Sequence, residues 1–330
     1  MAPRLADLSD VASRAMELVD DEDAIWNWAE RCGARGWMFR GQRDADWPVR
    51  SSLERCARRM QWERPRRSLE IGIYRRFQRH AHLFVSPLPS DDDVIEWLAL
   101  IRHFGAPTRL VDWTYSFHVA LFFAARSADP HDDEEDRPLG ERCAAVWAID
   151  AEWLDARALD HLRHQGAEDV AAAYRDDLYV RRYDTFGTVY NRRPAVPFVL
   201  RQNCWRLNER LVAQQGVFLC PGDVERDFEE NLAALVRPED VGKHIRKLVF
   251  PKRLALPVLQ RAYRSGISLA TMYPGLEGFV RSLGDLAAAP EVLSPSELDA
   301  PLGMHQPGSP HGSRPTSHPR KRVLRGRGRK

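Results

Sequence analysis

The chain has 330 residues, 44% of them hydrophobic and 29% charged, and a formal net charge of +2. These proportions suit a globular protein with a substantial core. The longest apolar run, Phe117 to Ala125 and including His118, is far shorter than the roughly 20 residues that span a bilayer.

Five cysteines at positions 32, 56, 143, 204 and 220, with no Cys-x-x-Cys pair, argue against a disulfide framework or a cysteine-rich zinc site. The start, MAPRLADLSD, lacks an apolar secretory segment, and a reduced, cytoplasmic protein is expected. Charge is unevenly spread. From Ser313 onward the chain carries eight of its 49 basic residues and no acidic one, leaving 41 basic against 47 acidic residues in the remainder. A basic groove for nucleic acid on the body is therefore poorly supported. The tail can touch phosphates weakly and in a salt-dependent way, or act only as a solubilising terminus. Pro, Gly, Ser and His dominate residues 294–319, so two regions are expected: a domain over 1–288 and a disordered, basic tail over 289–330.

In chain order, Leu8 to Cys32 reads as one or two helices. Gly33 and Gly36 break them, and Trp37-Met38-Phe39 fits a short strand entering Arg40-Gly41. Ser51 can cap a helix running through Leu53, and another is expected from Arg67 to Leu83. Ser90 followed by Asp91, Asp92 and Asp93 opens a helix whose Val94, Trp97, Leu98 and Ile101 recur at helical spacing. Gly105 and Pro107 end it. Tyr115 to Ala125 is apolar almost all round and predicts a buried helix. The acidic run Asp129 to Asp136 reads as a loop. Strands are expected at Ala144–Ile149, Val196–Leu200, Val217–Cys220 and Ile245–Phe250, the last leading through Pro251 into a helix reaching Tyr263. Helices and strands mix without a βαβ rhythm, which predicts an α+β fold with helices around a mixed or split β-sheet.

Phosphate-loop, zinc-helix and nucleophile-elbow motifs are absent from the sequence. Three segments instead place polar groups in apolar surroundings. The first is Trp37 to Gln42, where Arg40 ends an apolar strand and Gly41 lets a backbone or a ligand come close. The second runs from Arg102 to Ser116. The third runs from Asn208 to Phe218; if it is helical to Gln215, Arg210 and Gln214 share a face and Gly216 can end the helix. Each has a structural alternative. Arg109 and Asp112 can form a buried ion pair that fixes their loop. Arg40 can bond carbonyls at a helix end, and His103 can be an ordinary loop histidine.

On these residues the chain resembles the FRG domain family, named for a Phe-Arg-Gly motif that stands here as Phe39-Arg40-Gly41. The family's His-aromatic-Gly-x-Pro-Thr-Arg-Leu-x-Asp-Trp-Thr run stands as His103 to Thr114. Its Arg-x-x-x-Gln-x-Gly-x-Phe run stands as Arg210, Gln214, Gly216 and Phe218. The family's Ser-Pro after Asp-Trp-Thr is Ser116-Phe117 in this chain. The resemblance covers roughly residues 8–285.

The order of these motifs is also similar to the Arg-Ser-Glu class of ADP-ribosyltransferases. That resemblance implies a related fold, NAD as substrate, Arg40 on its pyrophosphate, and Thr114 with Ser116 beside the nicotinamide ribose. Gly41, His103, Arg109 and Arg210 complete the implied ligand-binding set. The class places a Glu where this chain has Gln214 and Gln215, so Gln214, Glu209 and Asp112 are the candidates for the catalytic position. An amide cannot offer a full negative charge to an oxocarbenium-like centre, and losing one such stabiliser costs about 100- to 1,000-fold in rate. The resulting expectation is a nucleotide-binding domain that transfers ADP-ribose to a protein or nucleic-acid acceptor or cleaves NAD, in bacterial defence or toxicity. The alternative is a non-catalytic module that senses a nucleotide or nucleic acid.

Overall fold

The computed structural model describes residues 13–32, 36–126, 143–168, 171–172, 190, 193–205 and 208–287. The acidic run and the basic tail lie outside the described residues. The architecture is α+β, built on one seven-stranded sheet. Its strands are β1 (Met16–Leu18), β2 (Trp37–Gln42), β3 (Val111–Thr114), β4 (Cys143–Asp150), β5 (Val199–Gln202), β6 (Gly216–Pro221) and β7 (Ile245–Pro251). They lie in the order β1-β7-β4-β2-β3-β6-β5. β1 pairs with β7 in parallel, and every other pair is antiparallel.

Pairing is deep on either side of one seam. β2 runs against β4 from Trp37–Asp150 to Gln42–Ala145, and β3 against β6 from Val111–Leu219 to Thr114–Gly216. Between β2 and β3 the register holds a single pair, Phe39 with Thr114. Beyond it the strands diverge, and the sheet opens.

Alternation along the central strands divides the core into two layers. Ala144, Val146 and Ala148 of β4 pack with Trp37 and Phe39 beneath helices α5 (Phe117–Ala125) and α9 (Ala255–Arg264). Trp147 and Ile149 pack on the opposite layer with Met38, Trp113, Leu98 and Phe198. α5 is apolar on all sides but that of the exposed His118, and Ser116 caps it, the hydroxyl accepting from Val119 N at 3.3 Å. Phe117, Leu121 and Phe122 are at most 4% exposed. Burying side chains of this size contributes about 1.5–3 kcal/mol each.

Several expected elements fall elsewhere. The segment read as one or two helices is helical at residues 13–15 and at α1 (Glu22–Trp26), which Asp21 caps, but between them it holds the strand β1, and it ends in a 3-10 turn at Trp28–Cys32. Helix α2 (Ser52–Arg59) follows Ser51, whose hydroxyl and Glu54 form a reciprocal cap. α3 (Arg66–Ala81) follows Pro65, and α4 (Val94–His103) is capped by Asp93 rather than Ser90. Gly105, at φ 83°, ends α4. β5 starts at Val199, three residues later than expected, past Pro197, which cannot donate a ladder bond. The helix after Asn208 is short: α7 (Glu209–Ala213) ends in Gln214, and it is Gln215, at φ 46°, that turns the chain into β6. A Cβ at Gly216 would stand 2.7 Å from the end of the Leu211 side chain, which would have to shift to admit it. A further helix α6 (Ala151–His164), α8 (Phe228–Ala233), α10 (Leu269–Met272) and α11 (Leu276–Ser282) complete the described elements used below. No helix among the described residues is long and apolar enough to cross a membrane.

Candidate functional site

The seam between β2 and β3 is the floor of a pocket of about 360 Å³. Arg40 leaves β2 where the strands part, and its Nη1 donates to the Asp112 carbonyl across the opening at 2.7 Å. Gly41 follows. A Cβ at Gly41 would lie 2.7 Å from Ala124 N and closer still to the Ala120 carbonyl oxygen, so α5 can rest on β2 only because this residue has no side chain. The backbone approach anticipated at Gly41 is that of a helix.

Eight arginines and one carboxylate, Asp112, line the pocket. Arg40 comes from β2 and Arg43 from the turn after it, where its guanidinium lies 5.4 Å from the Trp47 ring. Arg55 and Arg59 come from α2. Ser52, Arg55, Cys56 and Arg59 recur at i, i+3, i+4 and i+7, so one whole face of α2 is turned to the pocket while Leu53 and Ala57 are buried in the core. Arg102 stands at the end of α4, Arg126 just after α5, Arg210 on α7 and Arg281 on α11.

The electrostatics centre on Asp112. Arg102 grips its Oδ2 through Nε at 3.0 Å and Nη2 at 2.6 Å. Burial alone would raise the Asp112 carboxyl, but the charge and hydrogen bonds of Arg102, with Arg210 and Arg40 beyond, hold it well below the usual carboxylate range. The side chain nonetheless keeps 36% of its surface exposed. On the opposite wall Arg210 lies 4.4 Å over the Tyr273 ring, with Nη2 3.3 Å from the Tyr273 hydroxyl and Nη1 3.5 Å from the His103 carbonyl. Gln214 shares that wall, and its Nε2 donates to the Met272 carbonyl at 3.0 Å.

Of the residues singled out in the sequence, the pocket thus gathers Arg40, Gly41, Asp112, Thr114, Arg210 and Gln214. Thr114 is already bonded: its Oγ1 donates to the Gln214 carbonyl at 2.6 Å and accepts from Ser116 N at 2.9 Å. Ser116 lies outside the lining and serves as the cap of α5. His103 is also outside it; burial and the nearby Arg210 charge push its imidazole down. Glu209 is exposed in the first turn of α7, away from the pocket.

Arg109 is separate too. It does not pair with Asp112, three residues on, because each finds another partner. Arg109 is completely enclosed and makes a two-pronged ion pair with Glu70 of α3, Nε to Oε1 at 2.7 Å and Nη2 to Oε2. The Tyr190 ring lies 5.8 Å from its guanidinium.

Sequence reasoning missed Arg43, Arg55, Arg59, Arg102, Arg126 and Arg281. The signal available was the polar i, i+3, i+4, i+7 face of α2, opposite its buried residues. Among the described residues no group of three or more His, Cys, Asp or Glu side chains is arranged to hold a metal ion.

Residues 35–133 match the family model of the FRG domain. No curated protein and no solved structure matches the chain. The matched stretch supplies β2, α2 to α5 and β3, hence Arg40, Arg55, Arg59, Arg102 and Asp112, whereas Arg210, Gln214, Tyr273 and Arg281 reach the pocket from beyond it. The chain carries an FRG domain, and the motif from which that family takes its name stands at the seam where the sheet opens.

Proposed function

We propose that the pocket binds a nucleotide bearing a pyrophosphate, with NAD the leading candidate. The observation that carries this reading is a pocket lined by eight guanidinium groups and one carboxylate, with Arg126 and Arg281 paired to Asp285 and Glu277 outside the lining. Guanidinium forks make paired, charge-assisted bonds to phosphate oxygens. Trp47, Phe123 and Tyr273 add flat apolar surface for a base or a nicotinamide ring. The cavity also falls in the about 300–1,000 Å³ range of small-molecule sites.

For chemistry beyond binding, Asp112 is the one candidate that brings a negative charge to the pocket. Gln214 brings an amide, and Glu209 faces elsewhere. The Asp112 charge is shared with Arg102, which weakens what it could offer to a cationic sugar. The arrangement therefore favours tight binding, with transfer or cleavage of NAD resting on Asp112.

Calorimetric titration with NAD and ADP-ribose, alongside nicotinamide release from NAD, tests the reading. Arg40→Ala is expected to weaken both ligands by about tenfold or more, the worth of one charge-assisted pair. If turnover occurs, Asp112→Asn abolishes it while binding persists. Absence of binding to both ligands by a folded protein refutes the proposal.

A further inference from the structure

Helix α3 packs on the core by one side only. Ile73, Tyr74 and Phe77 rest against the layer that holds Leu98 and Trp113, and Phe77 meets the Trp97 ring edge-on at 6.3 Å. The buried Glu70 and Ala81 fall on the same side. The opposite side is exposed at Ile71, Gly72, Arg75, Arg76, Arg79 and His80. Residues four apart on a helix stand in rows, here Ile71, Arg75 and Arg79 beside Gly72, Arg76 and His80. Past Ala81 the chain continues in turns, with Leu83 N donating to the His80 carbonyl at 3.0 Å and Phe84 N to the Ala81 carbonyl at 2.9 Å. The basic rows therefore run into Leu83 and Phe84, which are 65% and 82% exposed.

The charge on this face has no internal counterweight. Residues 71–90 contain three arginines, two histidines and no acidic residue. Among the described residues no carboxylate pairs with Arg75, Arg76 or Arg79. Glu70, the one acid of the helix, is committed to Arg109. The acidic run Asp91 to Asp93 lies along the flank, where the Gln78 Nε2 donates to the Asp91 carbonyl at 3.4 Å.

The order of groups along the helix selects a partner. At about 1.5 Å per residue, Arg79 stands about 6 Å and Arg75 about 12 Å behind Leu83. An apolar tip with cations set back from it matches the profile of an anionic bilayer, in which charged headgroups overlie hydrocarbon. Interfacial side chains reach about 5–10 Å into that boundary, and a polybasic patch with an apolar insertion supplies the two signals that stable attachment takes. A nucleic acid would use the arginines and stack on Phe84, but it would leave Leu83 in water.

We infer that the C-terminal end of α3 docks on an anionic lipid surface. Leu83 and Phe84 enter the headgroup–acyl boundary, and Arg75, Arg76 and Arg79 meet the headgroups. None of these residues lines the arginine-rich pocket, so this attachment is independent of what the pocket binds.

The test is co-sedimentation of the full chain with vesicles of phosphatidylcholine alone and of phosphatidylcholine mixed with phosphatidylserine. Binding is expected to favour the serine-containing vesicles and to weaken about fivefold in each of Arg75→Gln and Arg79→Gln, the worth of one basic residue near an anionic surface. Leu83→Ser combined with Phe84→Ser leaves the charge unchanged and should weaken binding at least about tenfold. The basic tail attracts the vesicles equally in every variant, so it cannot produce these differences. Phe84→Trp places a fluorophore at the tip, which should gain a blue-shifted component quenched by brominated acyl chains, over and above the wild-type signal. Circular dichroism establishes that each variant is folded. Failure to bind either vesicle overturns the inference, as does equal binding by wild type and the Leu83 and Phe84 double variant, or a tryptophan at the tip that brominated lipid does not quench. Binding of a single-stranded oligonucleotide that weakens in the arginine variants, without vesicle binding, reassigns the face to nucleic acid.

Discussion

Replacing Arg109 with Met would remove half of an ion pair whose side chains are 1% and 7% exposed. The Glu70 carboxylate would keep its buried position between α3 and β3 and lose both guanidinium contacts. Water cannot replace them without opening the layer that contains Tyr190 and Cys220. Breaking a buried pair from one side costs about 3–5 kcal/mol, because a charge is left uncompensated. At about 2–4 °C per kcal/mol for a domain of 150–250 residues, that corresponds to a fall of roughly 6–20 °C in melting temperature. Removing both charges together is a different perturbation. Arg109→Met with Glu70→Leu leaves no orphan ion and is expected to recover most of the loss. Urea denaturation followed by circular dichroism on both single variants and the double variant closes the cycle. Ligand affinity measured on the folded single variant should be unchanged, since Arg109 lies outside the pocket lining. A loss below about 1 kcal/mol, the range of exposed pairs, would refute the structural assignment. So would normal stability combined with lost ligand affinity.

Two further perturbations test the seam. Gly41→Ala forces a methyl group against the backbone of α5 at Ala120 and Ala124; overpacking of this kind costs about 1–3 kcal/mol, and a melting temperature equal to wild type would show that α5 can shift freely. The Asp112 carboxyl is depressed in the folded protein, so its contribution to stability is present above the unfolded value of about 4 and is lost as pH falls through the folded value. Stability measured from neutral pH down to pH ~3 should therefore fall less steeply in Asp112→Asn than in wild type, and superimposable profiles would count against the Arg102 pairing.

The parts of the fold legible in the sequence are those fixed by local chemistry. The Ser51 and Glu54 cap, the almost wholly apolar α5 and the alternating β4 each carry their signal within a few residues. β1 carries none. Met16 and Leu18 are 54% and 64% exposed, and the segment becomes a strand only through its ladder with β7, more than 200 residues away. The site divides in the same way. Arg40, Asp112, Arg210 and Gln214 sit in compact motifs that read as unusual on their own. Arg55, Arg126 and Arg281 read as ordinary surface arginines until folding turns them toward one cavity. The partner of Arg109 was illegible for a related reason: Asp112 is near in sequence, but Glu70, 39 residues earlier, is near in space.

The single Phe39–Thr114 pair has a thermodynamic consequence for work with this domain. It joins a four-strand half of the sheet to a three-strand half, with the Arg40 bond to Asp112 beside it. A ligand held by Arg40 on one bank and by Arg210 on the other would fasten the halves together. Ligand at 100 times its dissociation constant would add about 2.7 kcal/mol to the folded state. Heat capacity scans over a library of phosphorylated nucleotides would then rank ligands without an activity assay. Variants at the seam would lower the unliganded melting point and the ligand-induced rise together.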